Sequence, residues 1–286
     1  MIAALSPGEA VPLSPAAIGR AATLALHDEL ALAPKPGLVT LIDNGSHLDM
    51  DAHTFMRSLF ALRHYFVEIA EAGCAGAPFE KLERLGIAAE IRMLAATRGV
   101  NTHRGAIFML GLLSAAAGAA ARTCNGPLRA VQVRTALLEN WGDALLARTR
   151  RVSGLPGGMA ARRLGLCGAS EEAALGFPVL FEAALPSLST RLTRSMPTTL
   201  ARIDTLFRVM AVLDDSNLAH RGGMAGLRHA QLAARQFNDG GGAGSPDALE
   251  QVRIIADDFV ARRLSPGGSA DTLAAACFLV RIGSSQ

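Results

Sequence analysis

Apolar side chains recur every three or four residues along most of the chain, which is the spacing that puts them on one face of an α-helix. Phe55, Leu59, Leu62, Phe66 and Ile69 form one such stripe. No long stretch alternates apolar and polar residues with a period of two, so a sheet is not expected. The pattern predicts an all-α fold, a single compact domain over residues 1–286 with about ten helices around a buried central helix.

Turn-forming residues separate the predicted helices. Ser14-Pro15 is a favourable start, because serine can cap free amides and proline suits the first turn, and Pro34 ends that helix. Asp49 or Asp51 can cap the next one. Residues 1–13 are expected to be a flexible N-terminus, and glycines and a proline at 154–158 mark turns within 148–170. The predicted helices cover about 15–33, 50 or 52 to 72, 78–98, 103–121, 128–146, 171–185, 197–218, 224–235, 246–263 and 269–282.

An uncharged run occupies residues 105–121. It is short for a membrane span, it is diluted by Gly, Ala and Ser, and it begins beside His103 and Arg104. We therefore expect this run to be the central helix of a protein core, and no contact with a membrane.

Composition narrows the classes of function. The net charge is only +3. The densest arginine group, at 148–163, lacks the interleaved aromatic residues that stack bases, so it is interpreted as a solvated face or loop. No nucleic-acid partner is therefore expected. The four cysteines form no CxxC pair, which indicates neither a zinc site nor disulfides. The N-terminus has no signal-peptide pattern. A cytoplasmic location is expected.

Unusual polar residues fall in four clusters, each at a break between apolar helices. Glycine and asparagine accompany charged or imidazole side chains in them, and three of the four lead directly into a helix. They are residues 35–39 with 44–51, residues 99–105, residues 214–217 with 220–223, and residues 262–271.

These clusters fit the binding of phosphate, because the free amides at a helix start favour an anion and glycine lets it approach the backbone. Taken singly, each cluster also fits a simple capping turn. If one polyanion explains all four, they converge on a single pocket. The candidate substrate- and phosphate-binding residues are Lys35, Asn44, His47, Asn101, Thr102, Arg104, His220, Arg221, Gly222, Ser265, Gly267, Gly268 and Ser269.

Acidic residues near these turns indicate a divalent cation. Asp214 and Asn217 are three positions apart and are expected to share the end of a helix, with Asp215 between them and Asp49 on another loop. Mg²⁺ takes one or two carboxylates, waters and polyphosphate oxygens, which matches this sparse set. Capping or a solvated helix end explains the same residues without a metal. The histidines lack ligand spacing such as HExxH, so no zinc or iron hydrolase signature is present.

The motifs resemble those of the triphosphoribosyl-dephospho-CoA synthase family in order and over about residues 16–276. The resemblance rests on Lys-Pro-Gly-Leu-Val at 35–39, Asn-Gly-Ser-His-Leu-Asp-Met at 44–50, Gly-Val-Asn-Thr-His-Arg-Gly at 99–105, Gly-Phe-Pro at 176–178, Asp-Ser-Asn at 215–217, His-Arg-Gly-Gly at 220–223 and Leu-Ser-Pro-Gly-Gly-Ser-Ala-Asp at 264–271. The family often has Lys at the position of Arg104. Its Gly-x-Arg-Gly-Glu-Ala run is reduced here to an acid and an alanine, Glu172 and Ala173.

The resemblance implies a reaction of ATP with 3'-dephospho-CoA that releases adenine and gives 2'-(5''-triphosphoribosyl)-3'-dephospho-CoA. Cleavage at the ribose leaves positive charge that a carboxylate can stabilise, and the attacking hydroxyl must lose a proton. Glu172 is the expected carboxylate, with Asp215 and Asp271 as competitors, and His103 is the first candidate for proton transfer. The triphosphate serves as a handle held by Mg²⁺, Lys35, Arg104 and Arg221.

The implied product is a precursor of the acyl-carrier prosthetic group of malonate decarboxylase or citrate lyase. The run Glu-Glu-Ala-Ala-Leu-Gly-Phe-Pro at 171–178 resembles the malonate decarboxylase branch more closely. The product would pass to a transferase acting on an acyl-carrier subunit, and a homodimer is compatible with the sequence. The alternatives are a metal-dependent nucleotide hydrolase and a non-catalytic helical protein that binds CoA-like ligands or nucleotides.

Overall fold

The computed structural model describes residues 13–124 and 127–284, which form twelve α-helices and no strand. The all-α prediction is therefore confirmed. Apart from Leu13, the segment predicted to be flexible lies outside the described residues. The helices are α1 (Pro15–Leu30), α2 (Ala52–Cys74), α3 (Phe79–Ala96), α4 (Arg104–Ala121), α5 (Ala130–Thr149), α6 (Pro156–Leu164), α7 (Ala169–Ala174), α8 (Leu185–Thr193), α9 (Thr198–Met210), α10 (Ser216–Asp239), α11 (Ala248–Ala261) and α12 (Gly267–Ser284), with a π-helical turn at Leu180–Ala184 and a 3₁₀ helix at Gly242–Gly244.

Helix α4 is the central helix that the sequence predicted. It packs against α1, α2, α3, α5 and α12. Within the described ranges it is the one helix long and apolar enough to cross a membrane, yet 72% of that stretch is buried inside the protein. A core helix has this property, because its apolar surface is covered by neighbouring helices rather than by lipid.

Small residues bring α2 and α4 close together. A Cβ at Gly73 would lie 2.0 Å from the carbonyl oxygen of Ala115, and one at Gly118 would lie 2.2 Å from that of Ala70. Any larger residue at these positions would force the helices apart. The abundance of Ala and Gly in the sequence thus reflects close helix packing.

Two predicted helices are wrong in their extent. The helix predicted over 171–185 is interrupted, because Gly176 and Phe177 adopt positive φ angles of 71° and 53° and turn the chain. The helix predicted over 197–218 stops at Met210, and a new helix, α10, begins at Ser216. Conversely, the break expected at 220–223 is a kink inside α10 at Gly223. The segment 148–170, where turns were expected, contains α6.

Candidate active site

A cavity of about 940 Å³ lies where α4, α6, α10 and α12 begin. All four polar clusters contribute to its wall. The predicted site residues that line it are His47, Asn101, Thr102, His103, Arg104, Glu172, Asp214, Asp215, Asn217, His220, Arg221, Ser265, Gly267, Gly268 and Asp271.

The remaining predicted residues lie away from the wall. Asn44 and Asp49 are exposed on the loop before α2. Gly222 packs against the side chain of Leu264, because a Cβ there would come within 2.6 Å of Cδ2. Ser269 is fully buried. The structure therefore gives Gly222 a packing role, which the lack of a side chain explains without a phosphate.

Lys35 corrects an expectation of the sequence. It was expected on an accessible loop as a handle for phosphate, but its side chain is completely buried, and its Nζ donates to the Glu29 carboxylate at 2.5 Å and to the Glu29 carbonyl at 2.6 Å. A buried charge needs such a partner, and losing it is costly. Lys35 is thus held behind the wall, where its charge acts on its neighbours, His103 among them.

His103 is 4% exposed and lies at the start of α4. Its Nδ1 is 2.6 Å from the Ser58 hydroxyl, and Phe55 contacts the ring edge-on. Within the described residues its Nε2 has no hydrogen-bond partner. Burial, and next the charge of Lys35, lower the pKa of His103 to about 3. The imidazole is therefore neutral at physiological pH, with one ring nitrogen left for a ligand.

Asp271 lies on the facing helix, α12, against the first turn of α4. A Cβ on Gly105 would be 2.0 Å from its Oδ2. Burial raises the pKa of Asp271 well above its ordinary value, and the nearby carboxylates of Glu29 and Asp215 raise it further. No residue in the ranges 13–124 and 127–284 donates a hydrogen bond to it, so a carboxyl at the cavity wall keeps both oxygens available.

Asp215 has a different environment, because four donors engage its carboxylate. Oδ1 accepts from the backbone amides of Asn217 and Leu218 at 3.0 and 3.3 Å, and Oδ2 accepts from the amide and hydroxyl of Ser269 at 2.8 and 3.0 Å. One side chain thus caps α10 and also binds the first turn of α12. This geometry favours an anchor for two helices over the predicted roles in catalysis and metal binding.

Glu172 and Asp214 form an acidic part of the wall with Cys167 between them. The Cys167 amide donates to Asp214 Oδ2 at 3.0 Å, and its Sγ is 3.9 Å from Glu172 Oε1. Burial raises the pKa of Glu172, and the Asp214 and Glu182 charges add to this effect. The Gly-Phe-Pro turn at 176–178 brings the chain back, so that the Val179 amide donates to Glu172 Oε2 at 3.4 Å.

His47, Arg221 and Ser265 join three of the clusters. Arg221 donates from Nη2 to His47 Nδ1 at 3.0 Å, which leaves His47 Nε2, 3.0 Å from the Ser265 hydroxyl, as the nitrogen that carries hydrogen in the neutral ring. Burial, and then the Arg221 charge, lower the pKa of His47 to about 4. Arg221 also donates to the carbonyls of Ser46 and Arg263.

The turn before α4 is held from within. The Asn101 carboxamide accepts from the Arg104 amide at 3.1 Å, and the amide and hydroxyl of Thr102 contact Met93 Sδ at 3.4 Å. The Arg104 guanidinium donates to Glu90 at 2.6 Å. Arg104 was predicted to hold phosphate, and here its Nε is already committed to a carboxylate.

The predicted metal set is not assembled as expected. Asp214 precedes α10, so it does not share a helix face with Asn217, whose amide instead packs near Gly267. Asp49 is exposed and lies 3.9 Å from His47. No group of three His, Cys, Asp or Glu side chains suitable for a metal occurs among the described residues. Of the four predicted ligands, Asp214 alone lines the cavity with a carboxylate oxygen that lacks a donor in the part of the chain that the structure describes.

Several residues that line or support the cavity wall were not predicted from the motifs. Ser58 and Glu29 lie within apolar helical stripes and carry no motif, yet they fix His103 and Lys35. The arginine group at 148–163 was interpreted as solvated, and the structure places Arg148, Arg150, Arg151 and Arg162 at the cavity. Their concentration beside Gly and Pro was the available signal.

Comparison with known proteins decides the family. The sequence model of the CitG family, described as ATP:dephospho-CoA triphosphoribosyl transferase, matches residues 15–286. The chain belongs to this family. It is also similar to the probable 2-(5''-triphosphoribosyl)-3'-dephosphocoenzyme-A synthase of Acinetobacter calcoaceticus, with 36% identity over 264 residues, which cover 91% of this chain and 89% of the relative. No solved structure matches.

The chain is therefore an enzyme, a triphosphoribosyl transferase of the CitG family, as the motifs indicated. ATP and dephospho-CoA, the substrates in the family description, are both polyanions. The guanidinium groups at the cavity wall can pair with the phosphates of such ligands, whereas the carboxyl groups there cannot.

Proposed function

We propose that this enzyme transfers the triphosphoribosyl group of ATP to 3'-dephospho-CoA with release of adenine, giving 2'-(5''-triphosphoribosyl)-3'-dephospho-CoA. Family membership supports the two substrates. The observation that carries the chemistry is that two groups at the cavity wall have no hydrogen-bond partner among the described residues, the Nε2 of His103 and the carboxyl of Asp271.

In the proposed step, the bond between adenine and ribose C1' of ATP breaks, and a bond forms from C1' to the 2'-oxygen of dephospho-CoA. The attacking hydroxyl releases one proton and the departing adenine takes one up. Positive charge develops on the ribose as adenine leaves, so a carboxylate at the wall lowers the barrier. Glu172 is the proposed stabilising group, because it lines the cavity and is held by Val179.

Asp271 is the proposed base for the attacking hydroxyl. A general base works best when its pKa lies near the operating pH, and the raised pKa of Asp271 moves it in that direction. Steric contact with Gly105 restricts where its oxygens can lie.

His103 was the first candidate for proton transfer, and its environment favours another role. An imidazole with a pKa of about 3 is a weak base at neutral pH. Its neutral ring can still form a hydrogen bond through Nε2 without adding positive charge beside the developing cation. We propose that His103 orients a substrate oxygen or nitrogen.

Mg²⁺ is proposed to enter with the triphosphate. Asp214 is the side chain that would hold it, together with phosphate oxygens and water, because Mg²⁺ commonly uses only one or two protein carboxylates. The ion would neutralise phosphate charge. The amide of Cys167 fixes one oxygen of Asp214 and leaves the other for this purpose.

The finer assignments are extensions of the family resemblance. We propose the malonate decarboxylase branch over citrate lyase, a downstream transferase that accepts the product for an acyl-carrier subunit, and a homodimer as the assembly to test. A cytoplasmic location is proposed because Cys74, Cys167 and Cys277 are thiols and not disulfides, which fits a reducing compartment.

The test is direct. The purified protein is incubated with ATP, Mg²⁺ and dephospho-CoA, and mass spectrometry should detect adenine and the joined product in equal amounts. Free triphosphoribose without dephospho-CoA would support the hydrolase alternative, and absence of adenine with both substrates present would contradict transfer. Omitting Mg²⁺ in the presence of chelator tests the metal requirement separately.

A further inference from the structure

Six arginines line the cavity, and four of them already have protein partners. Arg104 binds Glu90, while Arg148 and Arg151 both bind Glu83. Arg221 donates to two carbonyls and to His47. The charges and donors of these four are in large part committed before any ligand arrives.

The other two are Arg150, just after α5, and Arg162, near the end of α6. Both are exposed, both line the cavity, and neither guanidinium has a hydrogen bond or ion pair with residues 13–124 or 127–284. Glu83 is the acid that forms ion pairs with this arginine group among the described residues, and it is already shared by Arg148 and Arg151. The protein thus supplies more positive charge to this wall than it neutralises.

We propose that Arg150 and Arg162 bind the polyphosphate chain of a substrate nucleotide. A guanidinium offers paired N–H donors that match two phosphate oxygens, so it is suited to this ligand. Gly157 and Gly158, at the start of α6, line the same wall and have no side chains to screen it.

The proposed reaction requires two phosphate-binding surfaces in the cavity, one for each substrate. Both substrates carry polyphosphate chains, and bringing them together costs electrostatic repulsion unless each chain has its own cations. Arg221 belongs to the wall built by the loop before α2 and the start of α10, where its positive charge remains although several of its donors are committed. Arg150 and Arg162 belong to the separate segment 148–164. The inference rests on the proposed function, because it takes both nucleotides as substrates.

The test uses Arg150→Gln, Arg162→Gln and the double variant in the full-length enzyme, with kcat and KM measured for ATP and for dephospho-CoA separately. Arg163→Gln is the matched control, since Arg163 adjoins Arg162 and is exposed but does not line the cavity. Each substitution at 150 or 162 should raise KM for one substrate about tenfold, the loss expected for one charged hydrogen-bonding contact. Whichever KM rises identifies whether the ATP or the dephospho-CoA phosphates bind there.

Unchanged KM values for both substrates in the double variant would overturn the proposal, and so would an equal effect of Arg163→Gln, which would indicate only a long-range field. Arg150→Lys and Arg162→Lys keep the charge and should recover part of the affinity. Binding of ATP alone and of dephospho-CoA alone, measured by calorimetry, distinguishes a failure of the proposed function from a failure of the arginine assignment. If the unmodified enzyme binds neither and releases no adenine, the proposed function fails; if it is active and the variants bind both normally, only the arginine assignment fails.

Discussion

Gly105 and Asp271 are in such close contact that any side chain at position 105 would occupy the place of the Asp271 carboxylate, with Cβ only 2.0 Å from Oδ2. The contact joins the first turn of α4 to the N-terminal part of α12. It positions the carboxyl that we propose as the base.

Gly105→Ala should therefore displace the Asp271 side chain. We expect kcat to fall at least tenfold, since misplaced catalytic groups are costly, while the melting temperature changes little because residue 105 is exposed. Gly86→Ala is the control: Gly86 is also helical and lines the cavity, but its Cβ would meet the Tyr65 hydroxyl at an ordinary 3.7 Å. Wild-type turnover by Gly105→Ala would show that the position of Asp271 is not used.

Asp271→Asn should lower kcat by roughly 100-fold or more, the usual range for removing a general base. In the unmodified enzyme, kcat/KM should fall as pH drops through the raised pKa of Asp271, because the base must be ionised. The variant should lose that dependence. An acidic limb that survives in the variant would belong to another group.

Asp271→Asn should also change the free energy of unfolding in a way that depends on pH. A carboxyl whose pKa is raised on folding binds its proton more tightly in the folded state, so its stabilising contribution is present at low pH and is lost as pH rises through the folded pKa. Asp271→Asn should therefore be more stable than the unmodified enzyme at pH 8, with the difference shrinking toward pH 4. Urea unfolding at both values measures it, and a less stable variant at pH 8 would contradict the assigned shift.

Lys35→Met should reduce the free energy of unfolding by about 3–5 kcal/mol, because it leaves the buried Glu29 carboxylate without its partner. Lys35→Met with Glu29→Gln should recover much of that loss. The exposed pair Arg253 and Glu250 is the control, and removing Arg253 should cost about 1 kcal/mol or less. The pKa of His103, followed by NMR, should rise in Lys35→Met, since the Lys35 charge lowers it.

Asp215→Asn should destabilise the protein by about 2 kcal/mol or more, because an amide cannot accept from all four donors and two helix starts lose contacts. Ser269→Ala removes one of those donors and should cost less. Unfolding midpoints in urea compare the two. If Asp215→Asn instead keeps full stability and changes only the metal requirement, the carboxylate is a ligand and not an anchor.

The sequence was sufficient for the fold class and for the four polar clusters that contribute to the cavity, because apolar periodicity and turn chemistry are local properties. It was insufficient for which partner each residue takes. Lys35 lies in a Pro-Gly loop typical of an accessible turn, and only the tertiary contact with Glu29 shows that it is buried. Arg150 and Arg162 have the sequence context of ordinary surface residues. Only the folded structure shows that the surface on which they lie borders the cavity.

Asp215 changes what the helix starts around the cavity can contribute. The amide groups of α10 and α12 that would attract an anion already have one, and the protein has provided it as a built-in counter-ion. The positive ends of these two helix dipoles therefore face a carboxyl group of the protein itself. On the side of the cavity formed by α10 and α12, a polyphosphate therefore depends on guanidinium groups and on any metal it brings. Its affinity there should weaken with salt more steeply than binding to neutral amides would.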